Sequence, residues 1–200
     1  MESAAERLYR ELLLQPGLER SQRELARRAR FTPGYASQQV KFLVEQGVLA
    51  RPFRNRVVVT SPVKLLFMWA ARRVLPQPTY VQTKLDGRQI ERSLMRFRGV
   101  ALTLFSGAWH RDHFFQSRTS EAYVPTSSIP AVANRLGKIS PHATVVALYP
   151  SEGPELRGSS VADGPRVVSI PQNVVDLMAF GGQGPRVGIH LARTGGLLGD

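Results

Sequence analysis

The amino-acid sequence predicts an α+β protein of two domains, a mainly helical first domain over residues 1–75 and a mixed α/β second domain over residues 76–200. The 200 residues suit one large domain or two small ones, and apolar side chains make up 42% of the chain, enough to form buried cores. Two prolines lie close together in Leu75-Pro76-Gln77-Pro78. Because such a run disfavours helix and suits a linker, it is the predicted boundary between the domains.

Basic residues dominate the charge of the chain, and they are unevenly distributed. There are 27 Lys and Arg against 15 Asp and Glu, a formal net charge of +12, and 23 of the bases are arginine. Residues 1–75 carry fourteen bases and six acids (+8), whereas residues 76–200 carry thirteen and nine (+4). A strong excess of arginine is typical of proteins that bind nucleic acid, because the guanidinium fork matches phosphate and guanine edges.

Several absences narrow the class of protein. The chain contains no cysteine, which excludes disulfide scaffolds, thiol nucleophiles and cysteine-ligated metal centres. No run approaches the roughly 20 apolar residues of a membrane span. The N-terminus is an amphipathic, partly acidic stretch that lacks the basic start of a secretory signal. We therefore expect a cytoplasmic protein that does not enter a membrane and needs no cofactor.

The first domain begins with two predicted helices. The first spans about Ala4–Leu14, with apolar residues on one face, and ends at Pro16-Gly17. The second spans about Gln22–Arg30. Ser21 is its predicted N-cap, and Glu24, three residues further on, completes the pattern of a capping box.

A third helix and a basic hairpin follow. Thr32 is the predicted N-cap, Pro33 the first helical residue and Gly47 the stop. Two short strands, Val48–Arg51 and Arg56–Thr60, flank a basic tip at Pro52–Asn55, and a fourth helix runs from Ser61-Pro62 to about Arg73. The apolar residues of the third helix recur on one face, which predicts that this face is buried: Ala36, Val40, Leu43 and Val44.

This order of elements carries a resemblance to a known class of domain. The relevant strings are Glu24-Leu25-Ala26 on the second helix, Thr32–Val40 opening the third, and Gly47-Val48-Leu49 leading into the hairpin. Together they resemble the winged helix-turn-helix domains of bacterial and archaeal transcription regulators. The resemblance covers roughly residues 4–74 and implies that the third helix enters the major groove of double-stranded DNA.

The face of the third helix opposite the apolar stripe holds the predicted base contacts. Gln38 is the best candidate for direct readout, because an amide pairs bidentately with adenine; the alternative is that Gln38 and Ser37 are merely solvated surface. The arginines nearby are predicted to hold phosphates, unless some pair with the few acids. The predicted DNA-binding set is Arg23, Arg27, Arg28, Thr32, Gly34, Tyr35, Ser37, Gln38, Lys41, Arg51, Arg54, Asn55 and Arg56.

The second domain is predicted to mix strands and helices. The predicted strands are Thr79–Leu85, Val100–Phe105, Glu121–Val124, Ala143–Tyr149 and Arg166–Ser169. The predicted helices are Arg88–Arg96, Ile129–Leu136, Pro171–Phe180 and Val187–Ala192. Residues 195–200 are predicted to be a frayed tail.

Two strings in this domain carry a second resemblance. Val167–Ala179 followed by Gly181-Gly182-Gln183-Gly184, together with Ala101–Ala108, resemble the C-terminal domain of AbiEi-type antitoxins of type IV toxin–antitoxin systems. A winged helix followed by this domain is also the order found in that family. The resemblance implies a DNA-binding antitoxin that represses its own operon. It also implies a degenerate nucleotidyltransferase-like second domain that helps counter a toxin protein.

The residues themselves argue against catalysis. Nucleotidyltransferase chemistry needs a Gly-Ser turn followed by paired carboxylates that hold magnesium. Ser106-Gly107 is a candidate relic of the turn, but Glu121-Ala122-Tyr123-Val124 contains a single acid. We therefore expect no enzymatic activity and predict no catalytic residues. Asp176 is interpreted as a structural carboxylate.

The string His110-Arg111-Asp112-His113 raises the question of a metal site. Histidines three residues apart can share a helix face, but a complete site needs more ligands. We therefore interpret His110, Asp112 and His113 as polar surface or core, and predict no metal.

The predicted function is a double-stranded DNA-binding transcriptional regulator, an autorepressing antitoxin. Its expected partners are DNA, a second copy of the chain on a palindromic site, and a cognate toxin protein. Three alternatives stay open. The protein can be an architectural or replication-type protein with low sequence specificity, its first domain can bind protein instead of DNA, or its second domain can retain a nucleotidyltransferase site.

Overall fold

The computed structural model describes residues 3–137 and 144–198. The chain divides into two compact units, the first up to Arg73 together with the residues from Leu197, and the second over Val74–Gly196. The division falls two residues before the predicted boundary. The predicted frayed tail is wrong for Leu197, which is only 7% exposed. Both units combine helices with a β-sheet, as the predicted α+β class requires.

In the first unit, helices pack beside a small sheet. The helices are Ala4–Leu13 (α1), Gln22–Ala29 (α2), Pro33–Glu45 (α3) and Pro62–Ala70 (α4). The strands are Arg20–Ser21 (β1), Leu49–Phe53 (β2) and Arg56–Val59 (β3), joined antiparallel in the order β1-β3-β2. The helices and the hairpin were predicted from the sequence, whereas β1 was not.

Local capping explains where α2 and α3 begin. The Ser21 hydroxyl accepts the Glu24 N–H at 3.1 Å, but the predicted capping box is wrong in its second half, because the Glu24 carboxylate pairs with Arg28 at 2.9 Å instead. The Thr32 hydroxyl accepts the Tyr35 N–H at 3.3 Å, and Pro33 fits the first helical position. These N-caps confirm the predicted helix starts.

The core of the first unit is built from one face of each helix. Leu8 of α1, Leu25 of α2, Leu43 of α3 and Trp69 of α4 are fully buried. The guanidinium of Arg10 lies over the Trp69 ring, 5.1 Å from its centroid. This packing leaves the opposite face of α3 to solvent.

The second unit surrounds a six-stranded sheet with helices. The strands are Thr79–Thr83 (β4), Ala101–Leu102 (β5), Thr119–Pro125 (β6), Thr144–Ser151 (β7), Ser160–Val161 (β8) and Arg166–Val167 (β9), in the order β4-β7-β6-β5-β9-β8. The helices are Gly87–Leu94 (α5), Leu104–Asp112 (α6), Ile129–Leu136 (α7), Ile170–Phe180 (α8) and Gly184–Thr194 (α9). The sheet is mixed, since β6–β7 and β5–β9 are parallel and the other pairs antiparallel.

One predicted strand of this unit is shorter than expected and runs into a helix. Val100–Phe105 was predicted to be extended, but the strand covers only Ala101–Leu102 and α6 begins at Leu104. The run is apolar except for Thr103 and is fully buried at Leu102 and Leu104, and a buried run has no periodicity that separates helix from strand. Leu104 has φ of +48°, a left-handed conformation that is unusual for leucine.

The other predicted elements lie close to their observed bounds. Helix α7 has the predicted bounds, Ile129–Leu136, and α8 ends as predicted at Gly181, whose φ is +79°. The predicted strand Ala143–Tyr149 corresponds to β7, and its first residue lies outside the described residues.

A buried polar network fixes α8 against the sheet. The Asp176 carboxylate accepts hydrogen bonds from Thr103 Oγ1 at 3.1 Å, from the Tyr123 hydroxyl at 2.9 Å and from Gln172 Nε2 at 2.9 Å. All four residues are fully buried. Each donor comes from a different part of the fold or from the preceding turn of α8, so the structural role predicted for Asp176 is confirmed.

Candidate nucleic-acid interface

Helix α3 turns one polar face outward. Ala36, Val40 and Leu43 are buried, as predicted, whereas Val44 is only half-buried. Because α3 packs against α2 and β2 on that buried side, its opposite side faces solvent. We call this exposed set the outer face of α3: Thr32, Gly34, Ser37, Gln38 and Lys41.

Tyr35 lies at the edge of the outer face and is held by its neighbours. Its ring meets the Phe31 ring edge-on, with 5.1 Å between the centroids. The Arg7 guanidinium lies 5.5 Å from the centroid of Phe31, and its Nε donates to the Ala29 carbonyl at 2.9 Å. Tyr35 is therefore half-buried in a cluster with Phe31 and Arg7, two residues that were not predicted to belong to the site.

The turn between α2 and α3 has three residues, of which Arg30 is the first. Arg30 is left-handed, with φ of +56°, and the Phe31 N–H donates to the Ala26 carbonyl at 2.8 Å. This pattern closes α2 in the manner of a C-terminal cap. It exposes the Arg30 side chain between the two helices.

The arginines of α2 are not equivalent. Arg23 and Arg27 are exposed, but Arg28 is partly covered and its Nε lies 2.9 Å from Glu24 Oε1. The pairing of Arg28 within its own helix was one of the alternatives in the sequence reasoning, and it reduces the charge that this residue offers to an anion. Lys41 and Glu45 form a looser pair at 3.9 Å with both side chains exposed, a geometry that contributes little to stability.

The hairpin presents four polar side chains and one aromatic side chain to solvent. Its turn is at Arg54 and Asn55, within the predicted tip. Phe53 is 65% exposed beside them and was missing from the predicted set. The sequence shows that Phe53 lies close to cationic residues, but only the structure shows that it is exposed and does not belong to the core. The exposed polar residues are Arg51, Arg54, Asn55 and Arg56.

Strand β1 links the hairpin to α2. Ser21 pairs with Arg56 across the sheet and also caps α2. The neighbouring Arg20 is buried, and its guanidinium donates to the Glu11 carbonyl and, at 3.1 Å, to Gln15 Oε1. Burial lowers the pKa of Arg20 from its ordinary value. Arg20 is thus a structural arginine among the many basic residues of this unit.

The end of α3 is held by α4. Lys64 Nζ donates to the Gln46 carbonyl at 2.6 Å, at the C-terminus of α3. A cation at this position offsets the partial negative charge of the helix end. Both ends of α3 are therefore fixed, one by Thr32 and the other by Lys64.

The described histidines of the second unit, His110, His113 and His190, lie apart from this surface in the chain and have acidic partners. His110 Nε2 lies 2.8 Å from Glu91 Oε1, and this hydrogen bond raises the pKa of His110 from its ordinary value. Asp112 Oδ2 lies 3.5 Å from His190 Nε2, a pairing that the sequence did not indicate. Across residues 3–137 and 144–198, no group of three or more His, Asp or Glu side chains is arranged to hold a metal ion.

The candidate relic of a nucleotidyltransferase turn lies inside a helix. Ser106 and Gly107 are in the first turns of α6, and the Ser106 hydroxyl donates to Glu121 Oε2 at 2.7 Å. The pairing of these two residues, which lie on different elements, was not predicted.

Comparison of the chain with family models, curated proteins and solved structures finds no match. None of the helices in the described part of the chain is both long enough and apolar enough to span a membrane.

Proposed function

We propose that the first unit is a winged helix domain that binds double-stranded DNA, and that the protein is a sequence-specific transcriptional regulator. The observation that carries the proposal is the outer face of α3, which is polar, exposed and flanked by the exposed arginines of α2 and of the hairpin. Small polar side chains on a helix of this size fit a major groove, and cations on both sides fit the phosphate backbones.

Within the outer face of α3, we assign base contacts to Ser37 and Gln38. Both lie in the first half of the helix, where a recognition helix approaches base edges. Gln38 carries an amide that can donate to and accept from adenine at the same time. Gly34 is exposed and has open space around its Cα, which suits close approach of a sugar-phosphate chain.

The phosphate contacts are assigned to exposed cations on two elements. Arg23 and Arg27 project from α2, while Arg51, Arg54 and Arg56 project from the hairpin. Each neutralised phosphate releases counterions, so binding should weaken steeply as salt rises. Arg28 is a weaker candidate because Glu24 already holds it.

We also propose that the regulator is of the antitoxin type, on the resemblance carried by residues 167–184. In this proposal the second unit contacts a cognate toxin protein or a second copy of the chain, and the protein represses its own operon. Co-expression with the product of the neighbouring gene tests this part. The proposal requires that growth inhibition by that product be relieved and that the two proteins co-purify.

Selection of bound duplexes from random DNA tests sequence-specific binding. The wild-type protein should enrich one motif, and Gln38→Ala should change the preferred base at one position by about tenfold in relative affinity. Gln82→Ala, which removes an exposed glutamine from β4, is the matched control and should leave the motif unchanged.

Two outcomes count against the proposal. Equal affinity for selected and scrambled duplexes would favour the architectural alternative of low specificity. An unchanged motif in Gln38→Ala would contradict the assignment of the outer face of α3 as the reading surface.

A further inference from the structure

The second unit contains a pocket that the proposed DNA-binding function does not use. It has a volume of about 450 Å³, within the range of small-molecule sites. Its walls come from β4, the start of α6, the segment between α6 and β6, β6 and β7, and the end of α8. We call it the aromatic pocket because five of its lining side chains are aromatic: Tyr80, Phe105, Phe115, Tyr149 and Phe180.

The aromatic side chains are arranged around Phe105. The Phe105 ring is 5.1 Å from the Phe115 ring and 5.4 Å from the Phe180 ring, the latter in an edge-on arrangement. Tyr80 is 63% exposed and Phe180 is 46% exposed. Large aromatic side chains left open around a concavity favour a flat ligand, because a ring inserted there gains both apolar burial and aromatic contact.

One carboxyl group is among the lining residues of the pocket. Glu121 of β6 is 3% exposed, and its Oε2 accepts hydrogen bonds from the Ser106 N–H at 2.9 Å and from the Ser106 hydroxyl at 2.7 Å. The same Ser106 hydroxyl accepts the Glu121 N–H at 2.9 Å. Ser106 therefore fixes the orientation of the carboxyl group among aromatic walls.

Burial gives this carboxyl group unusual chemistry. It raises the pKa of Glu121 to about 7, although hydrogen bonds from Ser106 and Ser117 oppose the rise. The other ionisable groups at the pocket are Tyr80 from β4, Tyr149 from β7 and Arg118 from the segment before β6. Ionised Glu121 is thus poorly solvated, and a new hydrogen-bond donor would stabilise it.

We propose that the aromatic pocket binds a small planar aromatic molecule that carries an N–H donor, with its ring against Phe105 and Phe180 and its N–H on Glu121. The proposal does not depend on DNA binding. A neutral donor suits the pocket better than a cation, because Arg118 also lines it.

Indole and 1-methylindole are suitable probes, since they share a planar ring and differ in the N–H donor. Titration calorimetry on the full-length protein should find saturable binding of indole and about tenfold weaker binding of 1-methylindole. Affinity for indole should rise between about pH 6 and about pH 8, because the donor favours ionised Glu121. Affinity for 1-methylindole should not rise in this range, because it offers no donor to ionised Glu121.

Three variants separate the contribution of the Glu121 carboxylate to binding from that of the Phe180 ring, with a control outside the pocket. Glu121→Gln keeps the size and the acceptor for Ser106, and should reduce indole affinity to that of 1-methylindole and abolish the pH dependence. Phe180→Ala should weaken both probes about fivefold, through lost ring contact. Phe67→Ala removes an exposed phenylalanine from α4 in the first unit and should change neither affinity. Thermal unfolding of each variant checks that it is folded.

Three results would overturn the proposal. The first is a failure of the wild-type protein to bind indole saturably. The second is equal affinity of wild type and folded Glu121→Gln for indole, and the third is equal affinity of the wild type for the two probes. Either of the last two would remove Glu121 as the acceptor.

Discussion

Helices α3 and α8 begin in the same way but place their polar residues differently. Thr32 caps α3 ahead of Pro33, and Ser169 caps α8, whose second residue is Pro171. The polar side chains near the start of α3, Ser37 and Gln38, are exposed. Those near the start of α8 are fully buried: Gln172, Asn173 and Asp176.

The difference separates two uses of the same chemistry. On α8, carboxylate and amide groups accept and donate within the protein, and so hold a helix against a sheet. On α3, groups of similar capacity face solvent, where an external partner can reach them. Polar residues that are hydrogen-bonded inside the protein stabilise the fold, whereas polar residues on an exposed helix face are better candidates for contact with a partner.

The largest effect is expected from removal of the buried carboxylate on α8. Asp176→Ala removes the carboxylate that accepts hydrogen bonds from Thr103, Tyr123 and Gln172, and leaves these buried donors without that acceptor. We expect a loss of about 3–5 kcal/mol in the free energy of unfolding of the second unit, measured by urea denaturation. Gln38→Ala is the comparison on α3 and should change the free energy of unfolding of the first unit by less than about 0.5 kcal/mol. A similar loss in both variants would show that burial does not distinguish the two helices.

The second prediction concerns a carboxyl group that is buried but titrates. The pKa of Glu121 is about 7 in the folded state, above its ordinary value of 4.5, so the folded protein holds a proton that the unfolded chain releases. Its contribution to stability is present at low pH and is lost as pH rises towards about 7, by up to about 3 kcal/mol. Chemical denaturation as a function of pH measures this decline, which Glu121→Gln should abolish and Glu45→Gln, an exposed control, should retain.

The third prediction concerns the cations beside α3. Replacement of Arg51, Arg54 and Arg56 together by alanine should weaken binding to every duplex by about 30-fold at moderate salt, without altering the selected motif. The dependence of log affinity on log salt should become shallower by about 3. Arg157→Ala, an exposed arginine of the second unit, is the control. Loss of sequence preference in the triple variant would assign base readout to the hairpin instead of α3.

The fourth prediction concerns Gly34 on the outer face of α3, where the effect on stability should be small. A Cβ added at Gly34 would have no neighbour within 4 Å, and the position lies in the first turn of α3. Gly34→Ala should therefore stabilise the first unit by about 0.5 kcal/mol. It should weaken DNA binding if a backbone approaches this position. Thermal unfolding and a mobility-shift assay measure the two effects. A gain in both stability and DNA affinity would exclude a close approach of the DNA backbone to Gly34.

The sequence predicted α3 well because the relevant signals are local. The N-cap Thr32, the first-turn Pro33 and the spacing of Ala36 and Val40 all act within a few residues of each other. The same locality explains why the hairpin was found and why α7 has its predicted bounds. The exposed polar residues followed directly from the helical period.

The features that were missed depend on contacts between distant residues. Strand β1 has only two residues and exists because Arg20 and Ser21 pair with β3. The pairing of Ser106 with Glu121 joins α6 to β6, and the aromatic pocket takes lining residues from several elements. The helix at Leu104 was mistaken for strand because a fully buried run shows no amphipathic period.

Strand β1 has a consequence for the energetics of any complex. Ser21 is at once the cap of α2 and the sheet partner of Arg56, so the hairpin and α2 are joined through a single short strand. The spacing between the hairpin cations and the helices is thereby fixed when the chain folds. A duplex would meet a backbone whose conformational freedom is already lost, so the entropy of ordering that opposes association would come mainly from the exposed side chains.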